Sequence, residues 1–331
     1  MSDPGSGERV EAFLADILAA PWELAAVLGV QARAVAALRA DVLARPRWRL
    51  IGMGSSRFAA LDAVARLRAA GVEAVAETAS ASELSPASTD TLTIVISSSG
   101  RTPEALAAAE RHRGTSFVIA LTGRADSPLA GLADAVVPLV GERAETAGIA
   151  SLSYRATVAG LCLLVDAASG HVPGAGLAAA VPALETVIDG RHAWLSRAAD
   201  ALDTGREIHV LADGARIGLA EQAALMLREA PRISAHAFDT GDWLHVGLYT
   251  LFPGDPVLLF TGSSADGEAV ETIRARGAVV VSVGGEPRDT DVRVPIPDAA
   301  LEDPAIGALV EPAVSELLAG SCGVAARRRR S

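Results

Sequence analysis

The sequence contains no lysine; all 29 of its basic residues are arginine. Arginine stays protonated and cannot attack a carbonyl, so chemistry through a lysine Schiff base is excluded. A nucleotide-binding P-loop is excluded on the same ground, because its lysine contacts the phosphates. Cysteine is scarce: Cys162 and Cys322 are too few and too far apart for a disulfide framework or a cysteine-rich metal site. Cys162, inside the apolar run Leu161 to Val165, reads as a small buried hydrophobe. His112, His171, His192 and His209 are scattered, so no metal site and no cofactor are expected. No apolar run approaches the roughly 18 uncharged residues that span a bilayer. The start, Met1 to Arg9, lacks a basic stretch followed by an apolar one. A soluble, cytoplasmic protein with no membrane partner is expected.

The net charge of −11 is diffuse, which argues against nucleic acid as a partner. The exception is Arg327 to Arg330, read as part of a disordered arginine-rich tail over 323–331. With 331 residues, 50% of them apolar and 21% charged, the chain belongs to the well-packed globular class, with room for two domains.

Residues 8–43 have apolar positions at helical spacing interrupted around Pro21 and Trp22, which predicts two helices within an N-terminal helical segment, 1–45. Trp48 to Ile51 then reads as a strand, Gly52-Met53-Gly54-Ser55-Ser56 as a turn and Phe58 to Ala70 as a helix. Further strands are predicted at 72–77, 91–96 and 116–121, with a helix over 103–112. The central strands are almost wholly apolar, as buried parallel strands are. After the glycine-rich stretch Gly170 to Gly176 a long linking helix is predicted from Leu177 to Ala201, within 173–204. The alternation then restarts, with strands at 207–212, 256–260 and 278–283 and helices at 217–229 and 268–276. The fold class expected is α/β, with two doubly wound, mostly parallel sheets each flanked by helices in three layers. The first domain is placed at 46–172 and the second at 205–322. A shift of 164 positions lays Ser97 to Ala105 over Thr261 to Ala269, each following an apolar strand and opening a helix, which points to two copies of one fold.

The segment Ser97-Ser98-Ser99-Gly100-Arg101-Thr102 lies between a strand and a helix. Backbone N–H groups there turn toward one point, and the helix dipole adds positive partial charge. Ser97, Ser98, Ser99 and Thr102 add hydroxyl donors and Gly100 permits close approach, a phosphate cradle that needs no lysine. Ser55 and Ser56, after Gly54, occupy the equivalent turn of the first strand and would open at the same sheet edge. In the second copy Asp266 stands where the first has Thr102, which would repel a dianion while remaining able to cap a helix. Phosphate binding is therefore assigned to the first copy.

In this order, the turn 52–56, the run Ala81-Ser82-Glu83, the loop 97–102 and the segment Glu145 to Ser151 resemble the SIS (sugar isomerase) domain family. The two-domain layout is similar to the isomerase half of the glucosamine-6-phosphate synthases. The resemblance implies two SIS-type domains, a sugar phosphate of the fructose 6-phosphate or glucosamine 6-phosphate class as ligand, and Gly54, Gly100, Ile149 and Ser151 among the substrate contacts. Ala223 to Glu229 resembles the family helix that ends in its catalytic glutamate, and Gly241 to His245 the segment bearing its histidine. By that likeness Glu229 moves a proton between C1 and C2 of the open-chain sugar, with or without deamination, and His245 helps open the ring. In relatives that histidine reaches into a partner subunit, which implies a homodimer. Met226 stands where the family has a lysine and Ser2 where its glutaminase domain has a nucleophilic cysteine, so glutamine-dependent amination is not expected. The rival reading is a sugar-phosphate sensor that binds without chemistry. A dinucleotide site is disfavoured because Arg57 replaces the third glycine of G-x-G-x-x-G.

Overall fold

The computed structural model describes residues 6–143, 145–285 and 290–328. They form two compact units, one of Ala20–Glu145 with Ala150–Val181, the other of Met1–Ala19, Thr146–Ile149 and Pro182–Ser331.

The first unit carries α1 (Ser6–Ala36, whose first turns belong to the second unit), α2 (Ala40–Leu43), β1 (Arg47–Gly52), α3 (Ser55–Ala69), β2 (Glu73–Thr78), β3 (Thr91–Ile96), α4 (Pro103–His112), β4 (Phe117–Thr122), α5 (Pro128–Leu132), β5 (Ala135–Pro138) and α6 (Leu152–Ala168). Its sheet is fully parallel, in the order β2-β1-β3-β4-β5. Every residue of β3 is buried, Thr91 and Thr93 along with Leu92 and Ile94 to Ile96, as in a strand covered on both faces. Consecutive strands run outward in opposite directions from β1 and β3, so the strand order reverses between those two. A crevice opens at that switch point, outside the carboxyl ends of the strands.

The second unit continues with α7 (Ala180–Asp189), α8 (Leu195–Leu202), β6 (Ile208–Ala212), α9 (Ile217–Glu229), β7 (Ala235–Asp239), α10 (Thr240–Trp243), β8 (Pro256–Phe260), α11 (Asp266–Ala275), β9 (Val279–Val283), β10 (Val292–Val294), α12 (Asp298–Glu302), α13 (Pro304–Val310) and α14 (Pro312–Arg328). Its parallel sheet has the order β10-β9-β8-β6-β7, the same winding as the first, with its reversal between β6 and β8. The 164-residue shift lays β3 on β8 and α4 on α11 to within about one residue.

Three local expectations change. Helix α1 runs through Pro21 without a break. A proline there forfeits one backbone bond. Helix packing compensates, because Phe13, Ile17, Ala20, Leu24 and Val27 recur every three or four residues and are all buried. The polar residues of α1 are engaged as well. Asp16 accepts from the amides of Thr146 and Ala147, and Glu23 from those of Glu142 and Arg143. The linking helix is not continuous, for a 3-10 turn at Gly190–Ala193 separates α7 from α8. A glycine inside a helix weakens it by about 1 kcal/mol, and none of the four turn residues is buried to offset that. The arginine-rich tail is helical to Arg328, and its last residues lie outside the described ones.

By length and composition two helical stretches, Glu8–Ala36 and Pro304–Cys322, could cross a membrane, and the second is mostly buried inside the protein.

Candidate functional site

A cavity of about 550 Å³ lies at the carboxyl edge of the first sheet, lined by Ser56, Ser97, Ser98, Ser99, Thr102 and Arg124 with apolar neighbours. It sits at the β1/β3 switch point. Five of the hydroxyls expected to hold phosphate therefore share one space. Gly54, Ser55 and Gly100 belong to the same two turns but do not line it. Of the more distant candidates, Ser151 is fully buried ahead of α6 and lies outside this cavity, and Ile149 is buried in the second unit.

The loop after β3 is pinned at both ends. Ser97 N donates to Leu121 O at 3.0 Å, and Gly123 N to Ser98 O at 2.9 Å, tying the loop to the end of β4. Gly100 has φ +61°, and a Cβ there would meet Ser127 Oγ at 2.2 Å and Ser127 Cβ at 2.4 Å. Only glycine fits, in both conformation and space. Thr102 is the N-cap residue of α4 but makes no side-chain cap bond; its Oγ1 pairs instead with Ser97 Oγ at 2.9 Å. The Thr102 side chain thus leaves the N–H groups of the first turn of α4 uncapped, at a helix start that carries partial positive charge. Ser98 and Ser99 are exposed and ready to donate.

A second cavity, of about 950 Å³, occupies the corresponding place in the second unit, lined by Arg216, Thr261, Gly262, Asp266 and Glu311 among others. Here the anion position is already filled. Asp266 Oδ2 accepts from Gly262 N at 2.7 Å and Ser263 N at 3.1 Å, so a carboxylate of the chain itself takes the loop amides. Burial pushes the Asp266 carboxyl above its ordinary range, while the two amides and Arg216 pull it back. Arg216 donates to both oxygens of Glu311, at 2.9 and 2.8 Å, and to the carbonyl of Thr261 at 2.6 Å. Glu311 is buried, and that burial holds its carboxyl above the usual value, against the pull of Arg216. The sequence showed the acid at 266 but not that it would fill the cradle, because its reach back to residues 262 and 263 depends on the loop's path.

Glu229 ends α9 half-buried, and burial raises its pKa, opposed by the charges of Arg9 and Arg228. Just beyond it Arg232 takes φ +60°, an uncommon conformation for a residue with a side chain. Met226, one turn earlier, is fully buried and so is a core residue. His245 is exposed, not a core histidine. The core histidine of this unit is His209, which accepts from Trp243 Nε1 at 2.9 Å. Among the described residues no cluster of metal-ligating side chains is present.

Residues 44–165 match the SIS domain family, a stretch that contains the whole serine-lined cavity. No curated protein sequence matches the chain. Solved structures do. The C-terminal domain of glucosamine-fructose-6-phosphate aminotransferase from Francisella tularensis superposes with a TM-score of 0.78 at 15% identity, covering 96% of each chain. Tagatose-6-phosphate ketose/aldose isomerase from Escherichia coli gives 0.77 at 17% identity, covering 99% of this chain and 95% of that one. Glucosamine-6-phosphate deaminase from Thermotoga maritima gives 0.73 at 18%, covering 95% and 94%. The likeness spans both units and fixes the fold as α/β with two parallel five-stranded sheets.

Proposed function

We propose that the protein binds a phosphorylated sugar in the first sheet's cavity and acts as a phosphosugar isomerase, its second unit being a further SIS-type domain. The observation that carries the reading is the convergence of five hydroxyls, from Ser56, Ser97, Ser98, Ser99 and Thr102, on one cavity at a helix start. Donors of this kind match the three oxygens of a phosphate dianion. The similar structures are named for an aldose/ketose isomerase, a deaminase and an aminotransferase of hexose 6-phosphates, which supports a ligand of that class without choosing among the reactions.

Isomerisation passes through an enediol or enolamine, and one carboxylate can remove the proton from one carbon and return it to the next. Glu229 suits that work, because burial raises its affinity for a proton toward what a general base needs. His245 is exposed, as a residue that reaches a ligand must be. Val246, Tyr249 and Phe252, large apolar side chains just beyond it, are 52%, 72% and 60% exposed, which supports burial of this segment in a homodimer.

The test is incubation with fructose 6-phosphate or glucosamine 6-phosphate in deuterated water. Exchange at C1 or C2 is expected, and it should fall by about 10²–10⁴-fold in Glu229→Gln while binding persists. No exchange across a panel of hexose phosphates would remove the catalytic reading. A sugar-phosphate sensor is the second reading, favoured by Met226, a fully buried core residue where the resembling enzymes have lysine. Binding with no exchange is the outcome that selects it.

A further inference from the structure

Five neutral hydroxyls and a few amides offer a dianion only dipoles, so the charged residues at this cavity become decisive. Among the described residues that line it, Arg124 is the one that bears a charge. We propose that Arg124 is the cationic clamp of this cavity, exchanging its present partner Asp126 for the ligand's phosphate. The proposal rests on the phosphate reading of the cavity.

Three observations carry it. First, the backbone of Arg124 is fixed against the serine loop. Gly123 N donates to Ser98 O at 2.9 Å, and a Cβ on Gly123 would lie 2.9 Å from Val140 Cγ2 and 3.1 Å from Ser98 O, so the two loops approach as closely as the chain allows. Arg124 N also reaches Thr122 Oγ1 at 3.3 Å. The arginine therefore springs from a rigid point at the cavity wall. Second, its guanidinium already holds a planar two-oxygen anion. Nε and Nη2 donate to Asp126 Oδ1 and Oδ2 at 3.3 and 3.2 Å. A phosphate presents the same pair of acceptors, and arginine binds both kinds by the same fork. Third, the present pair is easily given up. The two side chains are 56% and 72% exposed, where an ion pair contributes little and the guanidinium is free to turn. Arg101 also acts on Asp126, which leaves that carboxylate a second cation when Arg124 departs.

On this account Asp126 competes with the ligand, and the two residues set the affinity between them. A lysine could supply charge but not the fork, and the sequence has none. No bond is made or broken; one charge-assisted pair of hydrogen bonds replaces another.

The test is calorimetric titration of the full chain with fructose 6-phosphate and, separately, inorganic phosphate. Arg124→Gln should weaken both about tenfold or more, the loss of a charge-assisted bidentate contact. Arg124→Lys should recover part of the loss. Asp126→Asn should bind more tightly than wild type, and Arg124→Gln with Asp126→Asn should match Arg124→Gln alone, a pattern that a merely structural arginine would not give. Exposure of both side chains keeps the variants folded, as circular dichroism would verify. Wild-type binding with Arg124→Gln unchanged within twofold would overturn the clamp and leave the phosphate site standing. An Asp126→Asn affinity equal to or below wild type would overturn the exchange. Failure of the wild type to bind either ligand would overturn the phosphate reading itself, and the clamp with it.

Discussion

Replacing Gly100 by alanine should damage the phosphate loop by two separable routes. At φ +61° an L-residue costs about 1–2 kcal/mol relative to glycine. The new Cβ would also sit 2.2 Å from Ser127 Oγ, 2.4 Å from Ser127 Cβ and 2.7 Å from Thr122 Oγ1. Real atoms do not approach so closely, and relief by shifting the loop or α5 costs about 1–3 kcal/mol as overpacking does. The total expected loss is about 2–5 kcal/mol, measurable by urea denaturation followed by fluorescence. Because the loop must move, affinity for fructose 6-phosphate should fall as well. The double variant Gly100→Ala, Ser127→Gly separates the routes. It removes the two nearest atoms, at the expense of the weak cap that Ser127 Oγ provides to Ala130 N at 3.3 Å, a few tenths of a kcal/mol when glycine replaces it. It should recover most of the steric part, the contact with Thr122 Oγ1 remaining, and keep the conformational part. A single variant with wild-type midpoint and wild-type affinity would refute the loop conformation on which the site depends.

Other perturbations test the second unit. Arg216→Met leaves Glu311 buried and unpaired and should destabilise by about 3–5 kcal/mol, whereas Arg216→Met with Glu311→Leu should recover most of that, as read by denaturant midpoints. Asp266→Asn tests the internal carboxylate through pH. Burial holds the Asp266 carboxyl above its unfolded value near 3.8, so the folded chain binds the proton more tightly. The stability this contributes is full below that value and is lost as pH rises through the higher folded one. Melting from pH 4 to 7 should therefore show wild type losing ground to Asp266→Asn as pH rises; the opposite trend would contradict the assignment of burial as the dominant influence.

Much of this was legible in the residues because buried parallel strands and glycine turns leave plain marks. β3 is apolar apart from Thr91 and Thr93, and Ser97 to Thr102 follows it directly, so the residues alone place the loop at the carboxyl end of that strand. What stayed hidden depends on contacts distant in sequence. Pro21 looks like a break, yet the buried stripe of α1 carries the helix through it. The continuous helix expected over 177–201 failed because helical spacing persists on both sides of the turn at Gly190. Arg124 gave no signal, since nothing in its neighbours says that the turn after β4 meets the serine loop; that follows only from β4 pairing with β3. The switch point likewise needs the strand order, which no local pattern contains.

The central claim is that the cavity at the β1/β3 crevice is a dianion site, and a crystal soaked with fructose 6-phosphate examines it most directly. The expected result is phosphate density in contact with the hydroxyls of Ser97, Ser99 and Thr102, with the sugar extending from it. Phosphate bound at another place, or a fully occupied ligand that leaves these hydroxyls untouched, would contradict the account.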